Sequence, residues 1–139
     1  MNTIHVAGGV GVADTAMASY DAALADANLH NYNLIPVSSV VPAEAEVVTV
    51  ESAPDLGPAG NRLNVVQAEA AAVGPETVAA GVGWTTGPGP GLFYEADAES
   101  EADVVERLER GLAAGRELRD WSFDHEETLV ETAEAAGIL

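Results

Sequence analysis

The sequence predicts a layered α/β or α+β domain, and three features carry that prediction. Two segments, 14–28 and 100–118, space apolar residues as helices do. Six or seven short stretches alternate or are rich in Val and Thr, as strands are, and Gly, Pro and Asn turns separate the segments. A chain of 139 residues suffices for one such domain, so residues 1–139 are expected to share one core. That core must be built from small side chains, because 47% of residues are hydrophobic but only 5% are aromatic.

Taken in order, TIHVA (3–7) reads as a first strand, followed by a turn containing Gly8, Gly9 and Gly11. Asp14 or Thr15 can cap the helix that follows, with Met17, Tyr20, Leu24 and Ala27 along one buried face and Asn28 closing it. NYNLIPVS (31–38) is extended, and Pro36 marks an edge or an irregular strand end. EVVTV (46–50) is a short strand, and 52–61 is a loop of turn formers. Segments 62–73 and 76–86 read as strands, although their alanines keep helix in competition. GLFYEA (91–96) is a strand. Ser100 then caps a second helix, with Asp103 at the capping-box position and Val104, Val105, Leu108 and Leu112 as its buried stripe. That helix ends near Leu118, and 121–134 is extended.

Charge narrows the functions open to the chain. It has 23 acidic residues, five arginines and no lysine, for a formal charge of -18. Such a field repels phosphates and anionic lipid, which excludes nucleic acid and membrane surfaces as natural partners. It suits a salt-rich cytoplasm, where a screening length of about 3 Å in molar salt quenches the self-repulsion. No apolar run approaches a membrane span and no secretory leader is visible, so a cytoplasmic location is expected. Without cysteine there is no thiol nucleophile or disulfide, and without lysine no anchor for pyridoxal phosphate.

Several tempting motifs have plainer readings. VAGGVGVADTAM lacks the third glycine of a dinucleotide fingerprint and the acid after the next strand, so it reads as a tight strand-to-helix turn. His5, His30 and His125 share no ligand spacing, so no metal site is expected. The acidic runs at 95–109 and 124–134 are solvated faces in so charged a protein.

The adjacent serines of NLIPVSSVVP are different, because a Ser-Ser pair permits a self-reaction. The second hydroxyl can attack the first carbonyl, converting the amide to an ester through an oxyanion that needs preorganised donors. Elimination of that ester leaves dehydroalanine, which water converts to a pyruvoyl group and ammonia. Most Ser-Ser pairs are nevertheless ordinary loop residues, and the spacing alone does not decide.

The surrounding residues do. YDAALADANLHNYNLIPVSSVVPAEAEVV, followed by GLFYEA and the helix to GRELRDW, resembles the pyruvoyl-dependent arginine decarboxylases over roughly residues 4–132. The resemblance implies a four-layer αββα sandwich, a homotrimer with active sites between subunits, and cleavage between Ser38 and Ser39. Residues 1–38 would become the β chain and 39–139 the α chain, whose first residue, made from Ser39, carries the pyruvoyl group. No metal and no pyridoxal phosphate are implied. Asn33 matches the asparagine that steadies the self-processing oxyanion, and an amide can donate there without a proton transfer. Glu95 matches the proton donor; burial beside Phe93 and Tyr94 would favour the protonated form it needs. Asp21 matches the carboxylate that grips the substrate guanidinium, with Met17, His30 and Tyr32 beside it.

The implied reaction converts L-arginine to agmatine and carbon dioxide, a step of polyamine biosynthesis. His30 and Tyr32 stand where smaller residues often line the pocket, and Pro36 where a basic residue often stands. A pyruvoyl decarboxylase for another amino acid therefore stays open, as does an uncut, non-catalytic homologue.

Overall fold

The computed structural model of the chain describes residues 3–72 and 76–134. Its elements are β1 (Thr3–Val6), α1 (Ala16–Asp26), β2 (Asn33–Pro36), β3 (Val40–Val41), β4 (Glu46–Thr49), β5 (Arg62–Val65), β6 (Thr77–Thr86), β7 (Gly91–Ala98), α2 (Glu101–Glu117) and β8 (His125–Glu134). The last residues of the predicted domain, 135–139, its first two, and 73–75 lie outside the described residues.

Four antiparallel strands in the order β3-β7-β6-β8 form the main sheet. One face is covered by α2, whose Val104, Leu108 and Leu112 are fully buried, Val104 and Leu108 packing with Ala79 and the partly buried Tyr94 and Val130. The approach is close because the helix carries glycine where it crosses β7: a Cβ at Gly111 would sit 2.6 Å from the Tyr94 ring. Against the opposite face pack the parallel pair β1–β4 and a cluster of Val6, Val41, Trp84 and Phe93, with Ile4, Val47, Val82 and Leu129 around it. The Trp84 and Phe93 rings meet at 5.9 Å. A second parallel pair, β2–β5, completes the fold. This is a mixed α+β arrangement compatible with the expected sandwich: one four-stranded antiparallel sheet and two separate parallel pairs.

Both helices begin where the sequence predicts. Thr15 caps α1 by accepting from Ala18 N–H, and Ser100 caps α2 by accepting from Asp103 N–H. Asn28 follows α1 with φ of 62°, the left-handed conformation that asparagine tolerates at a helix end. The glycine turn before α1 is a packing device: a Cβ at Gly9 would lie 2.2 Å from the Ala23 carbonyl oxygen, and one at Gly11 2.3 Å from Ala23 N. Helix backbone therefore fills the space a phosphate would need.

Two predictions for this part of the chain need correction. Met17 is 82% exposed, Tyr20 and Leu24 are only half-buried, and of the predicted buried face only Ala27, at the C-cap, is buried among the described residues. The strand expected at 62–73 stops at Val65, and 66–72 has no regular structure, while Val73 lies outside the described residues. The reason is loss of a partner. Val37 N–H makes the last β2–β5 bond, to Val65 O, and the chain then leaves for the other sheet, so nothing remains for 66–72 to pair with.

Candidate functional site

The serine pair lies where the chain crosses from one sheet to the other. On its N-terminal side, Val37 N–H donates to Val65 O at 2.9 Å, which ties that end to β5. On its C-terminal side, Phe93 N–H donates to the carbonyl of Ser39 at 2.7 Å, which ties that end to β7. This bond extends the β3–β7 register by one residue, so Ser39 stands opposite Phe93. Ser38 is exposed and Ser39 half-buried, and neither belongs to a strand. A cut between them would leave each new end held by its own sheet.

β7 also positions Glu95. Successive residues of a strand face opposite sides, so Glu95 shares the face of Phe93, and two steps along the strand carry it about 7 Å further. Its register partner on β6 is Val82, which packs beside Trp84 and Phe93. Ser39 and Glu95 are thus brought to one edge of the main sheet, on its inner face. The expected burial of Glu95 between Phe93 and Tyr94 is not found. Tyr94 points to the other face, under α2, and the Glu95 side chain is exposed.

Asn33 is not brought to Ser38. It opens β2, and the rise of a strand puts it about 13 Å behind Val37, beyond the reach of a side-chain amide. Its Nδ2 donates to Gly60 O at 2.9 Å instead. Asp21 is exposed midway along α1, next to Tyr20, whose hydroxyl accepts from Gln67 Nε2. His30 is exposed, and Tyr32 spends both hydrogen-bonding capacities of its hydroxyl on the 56–57 backbone, accepting from Leu56 N–H and donating to Gly57 O. Sequence reasoning missed Gln67 and the Phe93 N–H, since neither a lone glutamine nor a backbone donor leaves a motif.

Exposed apolar side chains occur in the same stretches of chain: Val10, Val12 and Met17 before and at the start of α1, and Ile35, Val37 and Val40 on either side of the serine pair. Two surface clefts of about 290 and 280 Å³ lie elsewhere, the first beside Arg116 and His125, the second beside Glu51 and Glu131. Neither is lined by Ser38, Ser39 or Glu95.

Four of the five arginines are engaged near α2. Arg110 pairs with Glu106 and Arg116 with Glu126, while Arg107 donates to Asp97 O and Arg119 to Gly115 O. The fifth, Arg62, stands opposite Asn33 in the β2–β5 pair. Among the described residues no group of three or more His, Asp or Glu side chains could hold a metal ion, and no helix is long and apolar enough to cross a membrane.

Comparison with known proteins gives one family. Residues 3–138 match the family described as pyruvoyl-dependent arginine decarboxylase. The chain is 53% identical over 137 residues to the pyruvoyl-dependent arginine decarboxylase of two strains of Halobacterium salinarum, covering 97% of this chain and 86% of the relative. It is 33% identical over 128 residues to that of Methanococcus aeolicus, covering 88% and 75%. To that of Methanocaldococcus jannaschii it is 28% identical over 132 residues, covering 92% and 78%.

Proposed function

The chain belongs to the pyruvoyl-dependent arginine decarboxylase family, and from that premise we propose that it cuts itself between Ser38 and Ser39 and then converts L-arginine to agmatine and carbon dioxide. The observation that carries this reading is the Phe93 N–H to Ser39 carbonyl bond, with Glu95 two residues along the same strand face.

In self-processing, Ser39 Oγ attacks the Ser38 carbonyl carbon and the peptide C–N bond breaks, leaving Ser38 as an ester on Ser39 and a free amine. Loss of the Ser39 α-proton then expels the Ser38 carboxylate from Cβ. Water adds to the resulting dehydroalanine, ammonia leaves, and residue 39 becomes a pyruvoyl group. The residues present fit that group: position 39 is anchored only from its C-terminal side, so it keeps its place when its N-terminal bond is lost. Once formed, the group supplies a carbonyl that withdraws electrons from the substrate α-carbon as carbon dioxide leaves.

The chain's own residues do the rest. Phe93 N–H fixes the amide carbonyl of residue 39, and Glu95 delivers a proton to the substrate α-carbon. Asp21 binds the guanidinium through paired charge-assisted hydrogen bonds, with Met17, His30 and the Tyr32 ring as pocket walls. In a salt-rich setting the net charge of -18 acts on a cationic substrate only at short range, so its recognition rests on direct pairing with the Asp21 carboxylate.

The family resemblance implies a homotrimer with active sites between subunits, and what one chain lacks supports a site completed by a second copy. Asn33 does not reach its own Ser38, Glu95 is open to water, and Ile35, Val37 and Val40, which flank the serine pair in the chain, are exposed. A second copy over this face would bring in the missing amide and exclude solvent from the acid, and closed symmetry would repeat the contact. A cytoplasmic, salt-adapted setting fits the acidic surface.

Carbon dioxide release from arginine, ornithine, lysine and histidine, measured on purified protein in high salt, tests the substrate. Release from arginine at least tenfold faster than from the others is expected; preference for another amino acid, or none, would overturn this reading.

A further inference from the structure

The loop at 55–61 and the segment at 31–33 hold each other by a set of bonds that the proposed chemistry leaves unexplained. Gly60 N–H donates to Asn31 O and Asn33 N–H to Asn61 O, both at 2.8 Å. The Asn33 side chain donates to Gly60 O at 2.9 Å. Tyr32 closes the set: its hydroxyl accepts from Leu56 N–H and donates to Gly57 O, each at 3.2 Å. The loop is shaped for this. Gly57 and Gly60 have φ of 114° and 89°, and Asp55 Oδ1 accepts from Gly57 N–H at 2.9 Å, fixing the turn that presents the Gly57 carbonyl.

The consequence concerns the direction of one amide. Asn33 has two N–H donors on Nδ2, and Gly60 O takes one of them, which sets the side-chain torsion and leaves the second N–H with a defined direction. An oxyanion donor is useful only when it is aimed before the charge develops. Gly60 can aim it only while the loop is held, and the Tyr32 hydroxyl is the side-chain group that holds the loop to the residue next to Asn33.

We infer that Tyr32 is a positioning residue for self-processing, clamping the 55–61 loop so that Gly60 O orients the Asn33 amide. This rests on the reading of Asn33 as the processing donor. It gives a reason for tyrosine at this position that is independent of substrate size.

The test follows chain cleavage rather than turnover. Tyr32→Phe keeps the ring and removes both hydroxyl bonds; Asp55→Ala loosens the same loop without touching residue 32. Each variant should slow the appearance of the two fragments by about three- to tenfold, the effect of losing one or two modest hydrogen bonds, with a thermal midpoint within a few degrees of the parent. In uncut Ser39→Ala protein labelled with nitrogen-15, adding Tyr32→Phe should shift the Asn33 side-chain NH₂ signals toward those of a solvated amide. Cleavage of both variants at the parent rate, or unmoved Asn33 signals, would overturn the assignment. Asn33→Ala provides the separate arm: cleavage at the parent rate there would remove the donor role itself, and the positioning role with it, even where the amide signals had moved.

Discussion

Phe93 N–H donates to the carbonyl oxygen of Ser39 at 2.7 Å, and Ser39 is the residue on the far side of the proposed cut. The bond lies just beyond the β3–β7 ladder, so the pairing that builds the sheet also fixes the position of Ser39. Two steps further along β7, Glu95 comes to the same face. Fold and chemistry therefore share one strand.

Replacing Ser39 with Ala removes the only hydroxyl that can attack the Ser38 carbonyl. The variant should remain one chain of about 14.2 kDa on a denaturing gel and bind no carbonyl reagent. Fragments from it would move the cut elsewhere.

Glu95→Gln keeps the side chain's shape and removes its proton donation. Cutting and folding should survive, while turnover of arginine falls by about 10²-fold or more. A kcat within a factor of a few of the parent would exclude Glu95 as the proton donor.

The two fragments should stay together after the cut. β1 and β2 of the first fragment are each paired with a strand of the second, β4 and β5, and Val6 sits in the shared core. Native gel filtration should therefore give one species containing both fragments, separable only in denaturant. Elution of a free 38-residue fragment would contradict this pairing.

Much of this arrangement was legible in the sequence, and what was not has identifiable causes. Ser100 and Thr15 announced their helices because a cap is a local contact between a side chain and an N–H three residues on. Met17 misled because periodicity reports an apolar stripe without saying which molecule covers it. The strand predicted through residue 73 failed because alanine and valine composition cannot reveal that the neighbouring strand departs at Val37. Among the site residues, Ser38, Ser39 and Glu95 stood out through the motifs around them. Their juxtaposition, and the separation of Asn33 from Ser38, depended on register, which no single segment encodes.

Sites shared between subunits predict complementation. Ser39→Ala and Asp21→Ala chains should each be inactive alone. With Ser39 and Asp21 of a site drawn from neighbouring chains, random assembly of equal amounts should recover roughly a quarter of parental activity, each mixed trimer holding one complete site. No recovery in assemblies shown to be mixed would confine each site to one chain.

Salt should act on stability in one direction. With 23 acidic residues against five arginines, repulsion opposes the folded state, and lowering salt from about 2 M to about 0.1 M lengthens the screening distance from a few ångströms to about 10 Å. The thermal midpoint should fall by ten degrees or more, on the order of several kcal/mol spread over many pairs. A midpoint independent of salt would remove the salt-adapted setting from the account.

Denaturing mass spectrometry of the freshly purified wild-type protein tests the central claim most directly. The prediction is two species that divide the chain between Ser38 and Ser39, with the larger, beginning at residue 39, reacting with a hydrazine at its first residue. A single unreactive species at the full 14.2 kDa would contradict it.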